Sequence, residues 1–223
     1  MGTRAGAEGT RRGSRERRTQ QERTRATTAT LVAAARELFV AEGFAGTSLG
    51  AICDRARVTR GAFYHHFENK EQIFREVYAA EQEGLSTVVR RAFRAERDAW
   101  DGLVAGCRAM LEASADPAVR RITLVEAPAA LGWTVIRDLQ AGCKGQMRIG
   151  LAMAMEAGCL PERPLDPLTS LLYGGMCESA LDIARADDPD AMRDDTVRQL
   201  EAMLTGVAGR APSGCAHTAD QRR

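Results

Sequence analysis

Apolar residues in this chain return every three or four positions, and no segment alternates apolar and polar side chains long enough to suggest a strand. Leu31, Val32, Ala35, Leu38 and Phe39 share one face of a helix that opens near Thr24 and stops near Gly43. Thr47 or Ser48 is placed to cap a short second helix, with Leu49, Ile52, Cys53 and Ala56 on one face. After Ala56-Arg57-Val58, Thr59 caps a third helix reaching about Phe67, and Asn69 opens a fourth with the stripe Ile73, Phe74, Val77 and Tyr78. All seven prolines lie beyond residue 116, and between them run helical patterns over roughly 98–115, 117–131, 133–158, 167–187 and 190–208. Pro128 falls inside such a pattern and should kink or end its helix. The spacing predicts an all-α fold. Abundant Ala, Leu, Arg and Glu with only 5% aromatics agree with it.

Charge divides the chain in a way its net value of +1 conceals. Residues 1–70 hold 13 Lys+Arg against 7 Asp+Glu, or +6, while residues 71–223 hold 18 against 23, or −5. A basic first part invites a polyanionic partner. Several classes fall away. Charge-free stretches such as 43–53 and 167–177 run to 11 residues, against about 20 for a membrane span. No apolar segment follows the N-terminal arginines, so no export signal is expected and the cytoplasm is the expected location. The six cysteines contain no CxxC pair, which predicts reduced thiols rather than a zinc site. No Ser-His-Asp, metal-spaced or phosphate-loop constellation occurs, so neither an enzyme nor a cofactor is expected. Residues 1–23 are too poor in apolar side chains to fold alone and read as a flexible basic arm; residues 210–223 read as a disordered tail. The arm is either a solubilising segment or a source of extra phosphate or minor-groove contacts.

The informative stretch is residues 47–70, TSLGAICDRARVTRGAFYHHFENK. Two short helices joined by a tight turn fit the helix-turn-helix arrangement, whose second helix enters the major groove. Leu49, Ile52, Val58, Phe63 and Phe67 can form a small core that sets the angle between them. That leaves Thr59, Arg60, Tyr64 and His65 facing outward, a mixture suited to a DNA groove. Arginine donates two bonds to a guanine edge, while Thr, Tyr and His reach phosphates or thymine methyls. Gly61 early in a helix costs about 1 kcal/mol relative to Ala, a cost that close backbone approach to DNA would explain. His65 and His66 do not make a metal pair, because adjacent helical residues point about 100° apart.

From Ala34 to Val77 these residues resemble the DNA-binding domain of TetR/AcrR-type transcriptional regulators. The resemblance rests on Phe39, Gly43, Phe44, Thr47, Ser48, Leu49 and Ile52, then Val58, Thr59, Gly61, Phe63, Tyr64, His66, Phe67, Lys70 and Glu71. It covers about residues 24–83, with the helix-turn-helix from Ser48 to Phe67. It implies a three-helix DNA-binding domain followed by a larger helical ligand-binding and dimerisation domain over 84–209. It further implies a homodimer that represses from a palindromic double-stranded operator until a small hydrophobic molecule releases it. Carried over, the pattern puts Thr47 or Ser48 at a phosphate and Thr59, Arg60 and Gly61 at bases. Tyr64, His65 and His66 would touch phosphates or bases, and Lys70 would complete the contact at the start of the fourth helix. Two residues depart from the pattern. Arg57 stands where the turn usually has Gly, and Cys53 where a small Ala is common.

In the acidic part, Leu168, Leu171, Leu172, Gly175, Met176, Ser179 and Ile183 form one stripe and Val197, Leu200, Leu204 and Val207 another. With the small residues Gly174, Gly175, Ser179 and Ala180 they suit either a dimeric bundle of the last two long helices or a cover over the chain's own core. The resemblance places dimerisation there. Candidates for a ligand pocket are Phe93, Trp100, Cys107, Met110, Leu111, Val125, Trp133, Ile136, Met147, Met153 and Tyr173, with methionines giving an adaptable lining. Glu126, inside an apolar run, would recognise a ligand or pair with Arg120, Arg121 or Arg137. An alternative on the same scaffold is a thiol-redox sensor using Cys107, Cys143, Cys159 or Cys177, with only Arg108 and Lys144 nearby as activators.

Overall fold

The computed structural model describes residues 6–208, with side chains from residue 21 onward. It is helical, with no strand among the described residues. The described part falls into two compact units divided between Val77 and Tyr78, a few residues before the expected boundary at 83.

In the N-terminal unit, α1 spans Gly6–Gly46 and is broken at Gly43, whose φ of 76° ends the regular helix where the sequence predicts a stop. The helix begins earlier than Thr24, so much of the expected arm is helical. Extending an existing helix avoids the nucleation cost, and the Arg, Glu and Gln of that segment are good helix formers. The tail expected over 210–223 lies outside the described residues. Helix α2 spans Leu49–Ala56. Ser48 caps it by accepting from Ala51 N at 3.1 Å. Its end is a left-handed cap at Arg57 (φ 55°, ψ 42°), closed by Val58 N to Cys53 O at 3.0 Å and Arg57 N to Asp54 O at 3.2 Å. A side chain there carries about 1 kcal/mol of strain that glycine would not.

Helix α3 is only Arg60–Tyr64, capped by the Thr59 hydroxyl, which accepts from Ala62 N at 3.1 Å. Turns from His66 N and Phe67 N to Phe63 O replace the helix expected to reach Phe67. Helix α4 spans Lys70–Ala95. Asn69 Oδ1 accepts from Gln72 N at 2.8 Å, and the Gln72 side chain accepts from Glu68 N, a reciprocal cap. The unit's core holds Leu31, Ala35, Leu38, Phe39, Ile52, Phe63, Phe67, Ile73 and Phe74, all buried. Phe39 and Phe44 both meet Phe74 edge-on, with centroids 5.0 and 5.1 Å apart. Phe63 and Phe67 are therefore core, as their spacing predicts.

The C-terminal unit takes the second part of α4 and then α5 (Ala99–Ser114), a single turn α6 (Pro117–Val119), α7 (Ala127–Leu139), α8 (Ala141–Glu156), α9 (Leu165–Arg185) and α10 (Pro189–Ala208). Helix α8 packs on α5 and α9, and α10 packs on α9 and α5. Between α6 and α7 the chain makes a π-helical turn, Arg120–Glu126. Pro128, expected to break a helix, sits just after it. A proline ring clashes with the carbonyl four residues back, and widening the turn before it relieves that clash. The sharp change of direction comes instead at Gly132 (φ 73°).

The apolar stripes of α9 and α10 face mostly inward. Leu172, Met176, Ile183, Leu200 and Leu204 are buried in the unit's own core. The outer face shows Leu171, 75% exposed, beside exposed Gly174 and Gly175, and α10 adds Met203, 48% exposed.

Candidate nucleic-acid interface and ligand cavity

Five of the expected DNA-contact residues stand together on the outer side of α3. Thr59, Arg60, Gly61, Tyr64 and His65 are all exposed. Tyr64 is held upright by its edge against Phe63, with centroids 5.5 Å apart, and remains 58% exposed. Among the described residues, no hydrogen bond or ion pair engages the side chains of Arg60, Tyr64 or His65. Ser48, also exposed, caps α2 by accepting from Ala51 N, and its hydroxyl proton remains available to an anion at that helix N-terminus.

Three other expected contacts have partners inside the unit. Thr47 is 1% exposed, and its hydroxyl donates to Gly43 O at 2.8 Å, so it fastens the α1–α2 turn and its side chain has no reach to a phosphate. The half-buried His66 sits with Nδ1 2.9 Å from the Thr28 hydroxyl, tying the end of the recognition segment to α1. Lys70 donates from Nζ to Phe44 O at 2.7 Å and to Thr47 O at 3.0 Å, and lies 4.4 Å over the Phe44 ring. Two of the three ammonium donors are thus committed to the α1–α2 turn. These bonds fasten the start of α4 to that turn.

In the C-terminal unit a narrow slot between α4, α5, α8 and α9 encloses a cavity of only about 30 Å³. Of the expected pocket residues, Phe93, Cys107, Met110, Met147 and Tyr173 line it. The others do not. Trp100, Leu111 and Ile136 are buried in packing elsewhere, while Val125 and Trp133 are 57% and 63% exposed. Glu126 is paired with Arg121, whose Nε lies 2.8 Å from its carboxylate, the internal alternative weighed from sequence. Met153 lines a second, wider groove that shares Val89, Phe93, Gln146 and Gly150 with the slot.

Comparison with known proteins bears on both units. Residues 31–77 match the family model for bacterial regulatory proteins of the tetR family, and residues 100–207 match that for the tetracycline repressor-like C-terminal domain. A crystal structure of a TetR-family transcriptional regulator from Pectobacterium atrosepticum is 33% identical, covering 83% of this chain and 96% of that one with a TM-score of 0.76. The chain belongs to the TetR family. It is a DNA-binding transcriptional regulator of that family rather than an enzyme. Among curated relatives, the TetC protein of transposon Tn10 from Escherichia coli is 48% identical over 59 residues, 26% of this chain and 30% of TetC. The regulator SrpR of Pseudomonas putida is 37% identical over 87 residues, 39% of each chain. The match therefore spans well under half the length of these curated relatives.

The TetR-family reading of the sequence left part of the slot unseen: Leu85, Val89, Leu103, Gly106, Cys143, Gln146, Gly150 and Met176. Continuing the α4 stripe past Tyr78 through Gln82, Leu85, Val89 and Phe93 would have found one wall. The thiols suit packing better than redox sensing. Burial pushes Cys107 up to about 12 and Cys143 up to about 11, and also raises Cys177. A reactive thiol needs the opposite shift. Cys159, half-buried in the turn after α8, is disulfide-bonded, contrary to the expectation of reduced thiols.

Proposed function

We propose that this TetR-family regulator is a repressor that binds a two-fold-symmetric operator as a homodimer and leaves it when a small molecule occupies the C-terminal unit. The observation that carries the reading is the contrast along the recognition segment. Thr59, Arg60, Gly61, Tyr64 and His65 are exposed, and the side chains of Arg60, Tyr64 and His65 are uncommitted among the described residues, while Thr47, His66 and Lys70 are engaged in fastening the unit. Pre-ordered polar side chains on a rigid support are what base readout needs. Ser48 at the start of α2 adds a phosphate contact. The basic charge over 1–70 supplies sequence-independent attraction, and the acidic remainder stays off the duplex. The dimer forms through the outer faces of α9 and α10. The slot supports release by a ligand, which must favour a DNA-incompetent arrangement over the competent one. No helix of the described residues is long and apolar enough to cross a membrane, and the proposed site of action is the cytoplasm, where the DNA lies.

Selection of binding sites from a random duplex library, followed by gel-shift titration, tests this directly. The selected sites should be palindromic. Arg60→Ala should weaken binding by about 1–3 kcal/mol and relax preference at one base pair per half-site. Failure to enrich any sequence would overturn the reading, and an Arg60→Ala variant with unchanged preference would remove Arg60 from base readout.

A further inference from the structure

The groove beside the slot has an unusual lining for a domain with this charge. Residues 71–223 carry −5, yet the charged residues lining the groove are Arg90 and Arg94, with no carboxylate. Its other walls are Val89, Phe93, Ile149 and Met153, of which Ile149 is 59% and Met153 42% exposed. The slot behind it is lined by no charged residue at all.

The two arginines, one helical turn apart on α4, are differently engaged. Arg90 is held by Glu83 at 2.9 Å and Thr87 at 2.8 Å from Nη2, and by Ser86 at 3.2 Å from Nη1. Gln146 of α8 closes the same corner. With its amide oxygen turned towards α4 it accepts from the Ser86 hydroxyl and from Arg90 Nη1 at 3.0 Å, while its amide nitrogen donates to Ser86 O at 3.2 Å. Arg94 is exposed and, among the described residues, has no partner. A fixed polar corner, a free guanidinium and two water-exposed apolar side chains thus stand where the groove meets a narrow apolar slot.

We infer that the groove takes a single-tailed amphiphile with an anionic head, the tail lying along Val89, Phe93, Ile149 and Met153 and the head on Arg94 beside the Arg90–Gln146 corner. Met153 gives it a wall that adjusts to the tail. A guanidinium binds a carboxylate or phosphate through two parallel bonds, which a neutral or cationic head cannot match. This rests on the reading of the C-terminal unit as the sensing domain and narrows it to a chemical class.

Calorimetry on the full chain tests it with four probes kept below their micellar concentrations: decanoate, 1-decanol, decyltrimethylammonium and butyrate. Decanoate is expected to bind at least tenfold tighter than 1-decanol and decyltrimethylammonium, and butyrate, a head without a tail, at least a hundredfold more weakly. Arg94→Ala should cost decanoate at least tenfold while leaving 1-decanol within twofold, and Arg94→Lys should recover part of the loss. Equal binding of decanoate and 1-decanol, tighter binding of the cation, indifference to Arg94→Ala, or no binding of any probe would each overturn the inference. Operator binding is measured separately on the same preparations. Loss of decanoate binding with operator binding intact refutes the ligand class alone, whereas absence of operator binding refutes the repressor reading whatever decanoate does.

Discussion

Gly61 separates folding from recognition at a single atom. It lies in the first turn of α3, its φ is not positive, and a Cβ built on it would meet nothing nearer than the Thr59 hydroxyl at 3.9 Å. The fold does not ask for glycine there, so Gly61→Ala should hold or raise stability by up to about 1 kcal/mol in urea denaturation. If the bare backbone is needed against DNA, the same change should lower operator affinity at least tenfold. Unchanged affinity would sink the close-approach argument. Lys70 makes the opposite case. Lys70→Met keeps the stem but deletes the donors to Phe44 O and Thr47 O, and should cost about 1–3 kcal/mol of stability. If Lys70 only positions the elements around it, the loss of operator affinity should be uniform across operator sequences. A shift in base preference would refute its positioning role. The internal partners of Lys70, Thr47 and His66 were not legible from sequence, because polarity alone does not show which side chains meet a carbonyl or hydroxyl of their own unit.

Helices were legible wherever an apolar stripe ran between caps: the stop at Gly43, the caps Ser48 and Thr59, and Asn69 before α4 are all where spacing and side-chain chemistry put them. Faces were legible less often. The π-turn at Arg120–Glu126 adds a residue to one turn and so rotates the faces of α7, which regular periodicity does not foresee. Val125, in that segment, and Trp133, just after the break at Gly132, stand in solvent rather than in a pocket. Close helix approach is the other feature that pattern hides. A Cβ on Gly102 of α5 would lie 2.8 Å from Phe93 O and within 3.3 Å of the Phe93 ring, contacts that backbone atoms cannot relieve. Gly102→Ala should therefore destabilise the C-terminal unit by about 1–3 kcal/mol, despite the higher helix propensity of alanine. Gly174 of α9, with nothing within 4 Å, is the control, and Gly174→Ala should be neutral or stabilising in the isolated chain. Equal thermal shifts for the two variants would show that the α4–α5 contact is looser than its geometry.

At the scale of the molecule, the proposed function depends on a second copy, and Leu171 is where that dependence can be cut without harming one chain. Its side chain is 75% exposed on α9 while its neighbours Leu172 and Met176 are buried in the unit's own core. Such a residue contributes to contacts between chains or to none. Replacing it with a carboxylate places a charge in a desolvated, like-facing-like interface, because in a two-fold dimer each mutated patch meets itself or its neighbour. Leu171→Glu should leave helicity and single-chain stability unchanged but move the species in sedimentation velocity from dimer to monomer. Operator affinity should fall with it, since the second half-site is then no longer bound intramolecularly. Effective concentrations of that kind commonly contribute 10² to 10⁴-fold, so a loss of about a hundredfold or more is expected. The monomer should still bind an isolated half-site as the native chain does, because the α3 surface is untouched. A Leu171→Glu protein that stays dimeric would move the interface away from this face of α9, and one that becomes monomeric yet holds the palindrome as tightly as before would refute the two-fold mode of DNA binding.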